Sequence, residues 1–470
     1  MRPNRLETDP SPARPAAEDR SRPAPGPGSS TRTPSPRPGP LPMAGNSALS
    51  AAADRTEPPV ISEFMQTALA NPGLISLAAG FVDQESLPHQ DAARVAAEIL
   101  GDPVEGRRAL QYGTTNGDLG LRRQLVALLE RNELVHAGTF EGLESRVVVT
   151  TGSAQLLYLV AEALLDPGDI VLVEAPTYFV FLGVLETRGA RAIGVAIDEG
   201  GMRLDALEAT LKSLEARGEL DRVKLIYTVA EHSNPSGISL AESRRGPMVE
   251  LARRWSRRHR IHILEDAAYR GLNYEGDEPS SVWRHDPEGE TVILARTFSK
   301  TFSPGMKLGF GVLPADLVRP VVSLKGNHDF GTTNLTQLIL ARVLADGTYE
   351  RHVEGLRAMY RRKRDAILGA LAGEFAPIDG AVTWTRPRGG MFVWLAAPVG
   401  VDLGTRGAVL ARCLERGVLY IPGSFSFPAE PGPVPTNYAR ICFGVAGESD
   451  LIEGVGRLAA ALADCMDPVA

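Results

Sequence analysis

Cysteine is scarce in this sequence: only three occur in 470 residues, at Cys413, Cys442 and Cys465. They form no C-x-x-C pair, so the sequence favours neither a disulfide framework nor a cysteine-rich metal centre. We therefore expect no bound metal. Sparse cysteine without paired spacing also fits a reducing compartment, and we predict a cytoplasmic location.

Long apolar runs and an excess of basic residues are missing as well. No stretch approaches the about 18 consecutive apolar residues of a membrane-spanning helix, and the N-terminus lacks the apolar segment of a secretory signal. The net charge is −7, whereas general affinity for nucleic acid needs a basic surface. The sequence therefore predicts neither a membrane nor a nucleic acid as a partner.

The composition is otherwise that of a globular protein with a large core, since 43% of the residues are hydrophobic and 23% are charged. Residues 1–59 differ, because prolines recur there and large apolar side chains are few. We predict that this stretch is a disordered tail, within which Met43 could be the true start of translation. We further predict an N-terminal arm with part of a small domain (60–90), a large domain (91–341) and a C-terminal small domain (342–470).

Short β-rich segments alternate with amphipathic segments such as Gln155–Leu165 and Arg244–Arg258 in the middle of the chain. This alternation requires crossover connections and predicts an α/β fold with a mostly parallel, doubly wound sheet of seven strands. Runs such as Ile170–Val173 are apolar throughout, as expected when helices cover both faces. The predicted strands are Arg146–Thr151, Ile170–Glu174, Arg191–Ile197, Val223–Val229, Ile261–Glu265, Val292–Arg296 and Leu308–Leu313.

The last part of the sequence has a different pattern. A helical pattern extends over about Thr348–Leu371, and strand-like segments follow at Ala381–Thr385, Phe392–Leu395 and Tyr438–Phe443. This order predicts a second, smaller α+β domain.

Polar residues follow several predicted strands of the large sheet, where ligands of such sheets bind. Gly152-Ser153 begins a helix, and its free N–H groups and helix dipole suit a phosphate, although a plain N-cap needs the same residues. Asp266 ends an apolar strand, where it could pair with a protonated ring nitrogen or cap the next helix. Asn234 lies soon after another strand.

Lys300 follows a fourth strand. A partly desolvated lysine amine has a lowered pKa and forms imines, whereas an isolated lysine is usually a solvated surface charge. The combination of a phosphate cradle, a carboxylate and a lysine at successive strand ends is what indicates a functional site.

At these positions the sequence resembles the fold type I aminotransferases (class I/II), which depend on pyridoxal 5′-phosphate (PLP). The resemblance is strongest to the 2-aminoadipate and kynurenine aminotransferases and extends from about Ile61 to the C-terminus. Five segments carry it, in the family's order: Thr150–Gln155, Glu174–Tyr178, Asn234–Gly237, Glu265–Tyr269 and Arg296–Phe310. Five motifs in one order are far more specific than any one alone.

The resemblance implies a set of residues around the cofactor ring. Lys300 would hold PLP as a Schiff base and then act as general base and acid. Asp266 would keep the pyridine nitrogen protonated. Asn234 and Tyr269 would hydrogen-bond the phenolic oxygen, and Tyr178 would stack on the ring.

The resemblance also implies the phosphate and substrate contacts. The phosphate contacts would come from Ser153, Ala154, Thr297, Ser299 and Lys307, joined by Tyr112 from the other subunit of a homodimer. The substrate contacts would come from Arg440, which grips the α-carboxylate, and from Asn234 and Gly80.

Three features depart from the family pattern. Lys307 replaces an arginine, which keeps the charge but loses the planar fork. Glu231 and His232 are unusual next to Asn234. His328 and Asp329 fall in a region that lies near the site in relatives. The last four residues could tune the choice of substrate or be ordinary loop polarity.

The function that the resemblance implies is transfer of the amino group of an α-amino acid to a 2-oxo acid such as 2-oxoglutarate. The cofactor residues do not distinguish this from a different PLP reaction, such as decarboxylation, elimination, or oxidation and cyclisation of an amino acid. A third possibility is a transcription regulator with an aminotransferase-like sensor domain. Residues 1–59 are too short and too rich in proline to form its DNA-binding domain.

Overall fold

The computed structural model of the protein describes residues 48–58, 60–71, 73–376 and 381–466, and from Leu49 onward they form one compact unit. The predicted disordered tail falls mainly on residues 1–47, including Met43, which lie outside the described residues. The prediction is wrong for Ala51–Arg55, which form a short helix, α1. Arg55 donates hydrogen bonds from this helix to two carbonyl oxygens distant in sequence, a tertiary contact that local composition does not reveal.

The large sheet has eight strands in the order β2-β9-β8-β7-β6-β3-β4-β5. Its central strands are parallel, while β9 runs antiparallel to β2 and β8, and β5 antiparallel to β4. The strands are β2 Val147–Thr150, β3 Ile170–Ala175, β4 Arg191–Asp198, β5 Gly201–Met202, β6 Val223–Thr228, β7 His262–Asp266, β8 Val292–Thr297 and β9 Gly309–Val312. The predicted fold class is confirmed. The sheet has one strand more than the predicted seven, the two-residue strand β5.

Helices cover both faces of this sheet, because its strands send successive side chains into two separate cores. In β3, Val171 and Val173 enter one core, while Ile170 and Leu172 enter the other. All four side chains are fully buried. This explains why the strand is apolar at every position, as the sequence indicated.

A second sheet follows the large one in the chain. It contains four antiparallel strands in the order β10-β11-β14-β13, and a separate two-stranded parallel sheet pairs β1 with β12. The strands are β1 Ile75–Ser76, β10 Thr383–Trp384, β11 Phe392–Ala396, β12 Val418–Leu419, β13 Ile421–Pro422 and β14 Tyr438–Cys442. Residues from before the large sheet thus pair with residues from after it.

The remaining helices surround these sheets. In the described part of the chain, none combines the length and apolar character that a bilayer span demands. They are α2 Val60–Ala70, α3 His89–Gly101, α4 Glu105–Ala109, α5 Leu119–Asn132, α6 Gly152–Leu164, α7 Phe179–Arg188, α8 Leu204–Ala216, α9 Glu242–Trp255, α10 Ala315–Asp329, α11 Asn334–Ala345, α12 Thr348–Glu374, α13 Ala408–Glu415 and α14 Glu448–Met466.

One edge of the large sheet is formed by β4, which β5 covers only at Ile197 and Asp198. Farther back along β4, the Gly194 N–H donates to the Glu430 carboxylate at 2.9 Å. A Cβ atom at Gly194 would come within 3.2 Å of Pro428, so the loop that carries Pro428 and Glu430 lies directly against this edge.

Candidate active site

Lys300 follows β8 and points back toward the N-terminal part of the chain. Its Nζ donates to the carbonyl oxygen of Gly80 at 2.7 Å. Burial lowers the pKa of the Lys300 amine to about 8, and the nearby Arg440 and Lys307 cations act in the same direction. A larger fraction of this amine is therefore neutral near pH 8 than for a lysine in water, and a neutral amine can act as a nucleophile or a base.

Asp266 ends β7 with its side chain buried. Its Oδ2 accepts a hydrogen bond from the Tyr227 hydroxyl at 2.9 Å, whereas Oδ1 has no hydrogen-bond partner among the described residues. Burial raises the pKa of this carboxyl to about 6. A buried carboxylate oxygen without a donor is costly, and the N–H of a protonated pyridine ring would satisfy it. Asp266 therefore fits the ring nitrogen of PLP.

Arg440 on β14 is a buried cation held by neutral groups. Its Nη1 donates to Asn234 Oδ1 at 3.1 Å and its Nη2 to the Ala78 carbonyl oxygen at 2.6 Å. Its Nε has no partner in the described part of the chain, and no salt bridge to this residue occurs there. Burial lowers the pKa of the guanidinium. A buried guanidinium without a carboxylate partner suits the carboxylate of a ligand.

Two aromatic rings flank this guanidinium. The Arg440 Cζ lies 4.8 Å from the ring centroid of Phe392 and 5.3 Å from that of Phe179. Gly80 lies against the same group, since a Cβ atom there would come within 3.3 Å of the Phe392 ring and 3.9 Å of Arg440 Nη2. The rings restrict the guanidinium, and glycine leaves open space beside it.

The predicted phosphate site lies where α6 begins. Gly309 in β9 approaches this helix so closely that a Cβ atom there would be 2.7 Å from the Ser153 nitrogen. Thr297 Oγ1 lies 2.9 Å from Ser299 Oγ at the end of β8. A close backbone approach, a free helix N-terminus and adjacent hydroxyls are the features that bind phosphate, while Ala154 supplies a further N–H from the first turn.

The two tyrosines predicted to contact the ring, Tyr178 and Tyr269, are both buried or half-buried. Burial raises the pKa of Tyr178 to about 12, and the nearby Asp266 carboxylate adds to the rise. Burial also raises the pKa of Tyr269 well above its ordinary value, and its ring packs edge-on against Phe392. Both hydroxyls therefore remain protonated and can donate hydrogen bonds.

Lys307 and Tyr112, both predicted to contact the phosphate, are exposed. Lys307 has a left-handed backbone, with φ of 52°, and its charge helps to lower the pKa of Lys300. Tyr112 is 82% exposed and packs edge-on against Phe330 of the same chain at 5.5 Å. The structure places neither of them in the buried set that contains Asp266 and Arg440.

Glu231 does not lie at the ring site. It belongs to a buried ion cluster formed by Glu133, Glu231, Glu265, Arg245 and Arg270. Glu231 Oε1 accepts from Arg245 at 2.8 Å and from Arg270 at 3.0 Å. Although burial opposes ionisation, these two cations hold the pKa of Glu231 below its ordinary value. Its contacts are therefore with the protein, and they connect the end of β6 to α9 and to the segment after β7.

His232 also contacts the protein. Its backbone is left-handed, with φ of 47°, and its buried ring lies against Gly389, where any side chain would collide with it. The His232 Nδ1 lies 3.3 Å from Ser239 Oγ. Burial lowers the pKa of this imidazole to about 4, so it is neutral at physiological pH.

His328 and Asp329 end α10, and each has a partner within the chain. His328 Nε2 lies 2.9 Å from Glu162 in α6. Asp329 accepts from Lys325 at 2.8 Å and from Gln155 at 2.8 Å. Because the Gln155 side chain also accepts from the Thr151 N–H at 2.8 Å, this chain of contacts connects α10 to the start of the phosphate site.

Sequence reasoning missed two side chains that support the site. Tyr227 lies inside the predicted strand β6, and nothing local separates it from a core tyrosine. Glu174 enters the sequence analysis only as part of a motif, without a role; in the structure its carboxylate accepts from Thr228 Oγ1 at 2.8 Å and from the Val229 N–H at 3.1 Å. Burial raises the pKa of Glu174 to about 7. The signal for Glu174 was a carboxylate at the end of an apolar strand, the same signal that identified Asp266.

The sheet order and this arrangement at its carboxyl edge define the class of the protein, a PLP-dependent enzyme of fold type I. The chain belongs to the aminotransferase class I and II family, whose model matches residues 72–457, and it is an aminotransferase. PLP is accordingly its cofactor.

Characterised relatives agree with this assignment. The chain is 33% identical to aromatic-amino-acid aminotransferase 1 of Thermococcus litoralis over 82% of its own length and 87% of the relative's. It is similar to the structure of kynurenine aminotransferase from Pyrococcus horikoshii, with 31% identity, a TM-score of 0.81 and coverage of 90% and 98%. It is also similar to the α-aminoadipate aminotransferase LysN from Thermus thermophilus, complexed with N-(5′-phosphopyridoxyl)-L-leucine, with 31% identity, a TM-score of 0.76 and coverage of 89% and 98%.

Proposed function

We propose that the protein transfers the amino group of an α-amino acid to a 2-oxo acid, with 2-oxoglutarate as the acceptor and with PLP held on Lys300 as a Schiff base. One observation carries this proposal. The Lys300 amine and the Arg440 guanidinium bind carbonyl oxygens two residues apart, at Gly80 and Ala78. A group for the α-carboxylate and a group for the α-proton therefore converge on one segment.

The ring residues of this chain have distinct parts in the proposal. Asp266 would accept a hydrogen bond from the N–H of the ring nitrogen through Oδ1, which has no partner among the described residues. Asn234 and Tyr269 would donate to the phenolic oxygen, and Tyr178 would stack on the ring. When bound, PLP withdraws electrons from the substrate's α-carbon.

Lys300 moves the proton. The neutral form of this amine takes the proton from the substrate Cα, and the lowered pKa of about 8 makes that form more abundant at a given pH than for a lysine in water. Arg440 holds the α-carboxylate so that the Cα–H bond faces this amine. The aromatic rings beside Arg440 keep water from its faces.

The donor and acceptor substrates are tested in one experiment. The purified enzyme is incubated with 2-oxoglutarate and single amino acids, including 2-aminoadipate, kynurenine and aromatic amino acids, and glutamate formation is measured. We expect glutamate from at least one of them. Release of CO₂ or of ammonia without glutamate would instead show one of the other PLP reactions.

We propose that Ser153, Ala154, Thr297, Ser299 and Lys307 hold the cofactor phosphate. Lys307→Ala should weaken PLP binding by about 1.5–3 kcal/mol, since the phosphate would lose a full cation but keep its helix and hydroxyl contacts. Lys307→Arg should preserve or tighten binding, because a guanidinium makes two parallel bonds. Titration of PLP into the three apo-proteins measures this, and equal affinity of wild type and Lys307→Ala would exclude Lys307 from the phosphate site.

We propose that the enzyme is a homodimer in which the partner subunit's Tyr112 reaches the phosphate. The support is an exposed apolar group at this side of the molecule: Leu110 is 74% exposed, Tyr112 82% and Phe330 58%. Tyr112 and Phe330 also pack on each other, and contiguous exposed apolar surface of this kind marks sites of protein association.

Light scattering should therefore give twice the chain mass. Heterodimers of Tyr112→Ala and Lys300→Ala subunits should regain activity, because one of their two sites has both residues intact. An active monomer, or heterodimers as inactive as their parents, would contradict this assembly.

The predicted domain boundaries and location complete the proposal. We propose a large domain over 91–341 and a small domain built from 60–90 and 342–470. The pairing of β1 with β12 supports the shared small domain. A cytoplasmic location is supported by the three cysteines, which are all free thiols.

A further inference from the structure

The Tyr227 side chain makes one hydrogen bond in the part of the chain that the structure describes. It is fully buried in β6, and its hydroxyl donates to Asp266 Oδ2 at 2.9 Å. The other oxygen of Asp266 has no partner among the described residues. The hydrogen bond therefore occupies one carboxylate oxygen and leaves the other available.

The sheet fixes this pairing. Strands β6 and β7 are parallel, with Tyr227 opposite Leu264, and both side chains enter the same core. Because side chains alternate along a strand, Asp266 lies on the same face as Leu264, one step nearer the carboxyl end. The Tyr227 ring thus reaches along the strand toward the site, and Phe181 of α7 packs on it with ring centroids 4.2 Å apart.

We propose that Tyr227 is a positioning residue that fixes the rotation of the Asp266 carboxylate, so that Oδ1 faces the ring nitrogen of the cofactor and the carboxyl stays ionised. The inference rests on the proposed role of Asp266. The Tyr227 hydroxyl donates to Asp266 Oδ2, so we expect its effect to act through that carboxylate.

The charge of Asp266 depends on this hydrogen bond. Burial raises its pKa, the Tyr227 hydroxyl and the Ala268 N–H lower it, and the Glu231 carboxylate raises it. Tyr178 and Tyr269 also face this carboxylate, but burial raises the pKa of both, so they stay neutral. The pKa of Tyr227 itself lies well above its ordinary value, and its hydroxyl remains a donor at every usable pH.

Loss of the hydroxyl in Tyr227→Phe should therefore raise the pKa of Asp266 further. The folded-state pKa of this carboxyl, about 6, already exceeds its unfolded value of about 4, so stability is lost as the pH rises between them. In the variant this loss continues to a higher pH. The stability gap between wild type and variant should consequently widen from pH 5 to pH 8.

Urea unfolding of the apo-proteins at the two pH values measures the gap. Tyr420→Phe is a matched control, because Tyr420 is also a buried tyrosine and its hydroxyl donates to the Leu403 carbonyl at 3.0 Å. The difference in unfolding free energy between wild type and Tyr420→Phe should not depend on pH. In an Asp266→Asn background, the pH-dependent part of the Tyr227→Phe effect should vanish. A gap that is the same at pH 5 and pH 8 would mean that the hydroxyl only stabilises the fold, and would overturn the inference.

The PLP-bound enzyme gives a second measurement. Tyr227→Phe should lower kcat by about 10-fold to 100-fold, as for the loss of one hydrogen bond to a charged group, with little change in KM. The pH titration of the absorbance of bound PLP should also differ from that of wild type, because the ring nitrogen would face a carboxylate of changed basicity. Unchanged kcat and an unchanged absorbance titration would also overturn the inference.

Failure of this inference is distinguishable from failure of the proposed function. If Asp266→Asn keeps full activity, the role of Asp266 is wrong. If Asp266→Asn is inactive while Tyr227→Phe behaves like wild type, the role of Asp266 stands and that of Tyr227 is refuted.

Discussion

Lys300→Ala is expected to lower turnover by at least about 10⁴-fold, the upper end of what a general acid–base group contributes. The amine is the group that would bind PLP covalently and move the proton. PLP should still bind to some extent through the phosphate and ring contacts, which do not involve Lys300.

Borohydride reduction followed by peptide mapping gives the direct measurement. In the wild type the pyridoxyl label should appear on the peptide that contains Lys300, and in Lys300→Ala it should be absent. Lys212→Ala is a suitable control, since Lys212 is an exposed lysine of α8 paired with Glu208. A label on another lysine, or full activity of Lys300→Ala, would remove the basis of the proposed mechanism.

Arg440→Met should lower kcat/KM for α-amino acids by about 10²-fold to 10⁴-fold, since it removes two charge-assisted hydrogen bonds to the substrate carboxylate. The same change should leave the protein as stable as wild type or more stable. The buried guanidinium bonds only neutral oxygens in the described residues, and a methionine of similar volume gives up these bonds but removes a buried charge that no carboxylate pairs.

The opposite signs make this prediction specific. A purely structural arginine would lower stability and activity together when replaced. Measurement of kcat/KM beside the thermal midpoint separates the two cases. An amine substrate without a carboxylate serves as a control, because its slow reaction should be unaffected; equal losses for both substrates would show that Arg440 does not bind the carboxylate.

Much of the fold was predictable because its strands are continuous apolar runs with clear ends. The predicted strand Ile170–Glu174 differs from β3 by one residue, and Val292–Arg296 differs from β8 by one. Both are buried on two faces, and this burial leaves a strong sequence signal. By contrast, β5 has only two residues and follows a turn directly after β4. A strand this short has no periodic pattern from which it could be predicted.

Some residues of the site were likewise predictable from the sequence, and others were not. Lys300 and Asp266 could be found because polar groups at the ends of apolar strands are unusual, and the motifs then gave them roles. The contacts of Glu231 could not, because Arg245 and Arg270 reach it from other elements and only the tertiary structure brings them together. Tyr227 was hidden for a related reason: a tyrosine within a buried strand is ordinary until its neighbour across the strands is known.

The loop that lies against β4 has a consequence for the behaviour of the protein in concentrated solution. An uncovered edge strand offers its backbone N–H and C=O groups to other chains and so promotes aggregation. At Gly194, the backbone N–H already donates to the Glu430 carboxylate. Pro428 lies next to this position and has no backbone N–H to offer another chain. This loop therefore protects solubility, and shortening it would endanger the protein through sheet-to-sheet association even if catalysis were untouched.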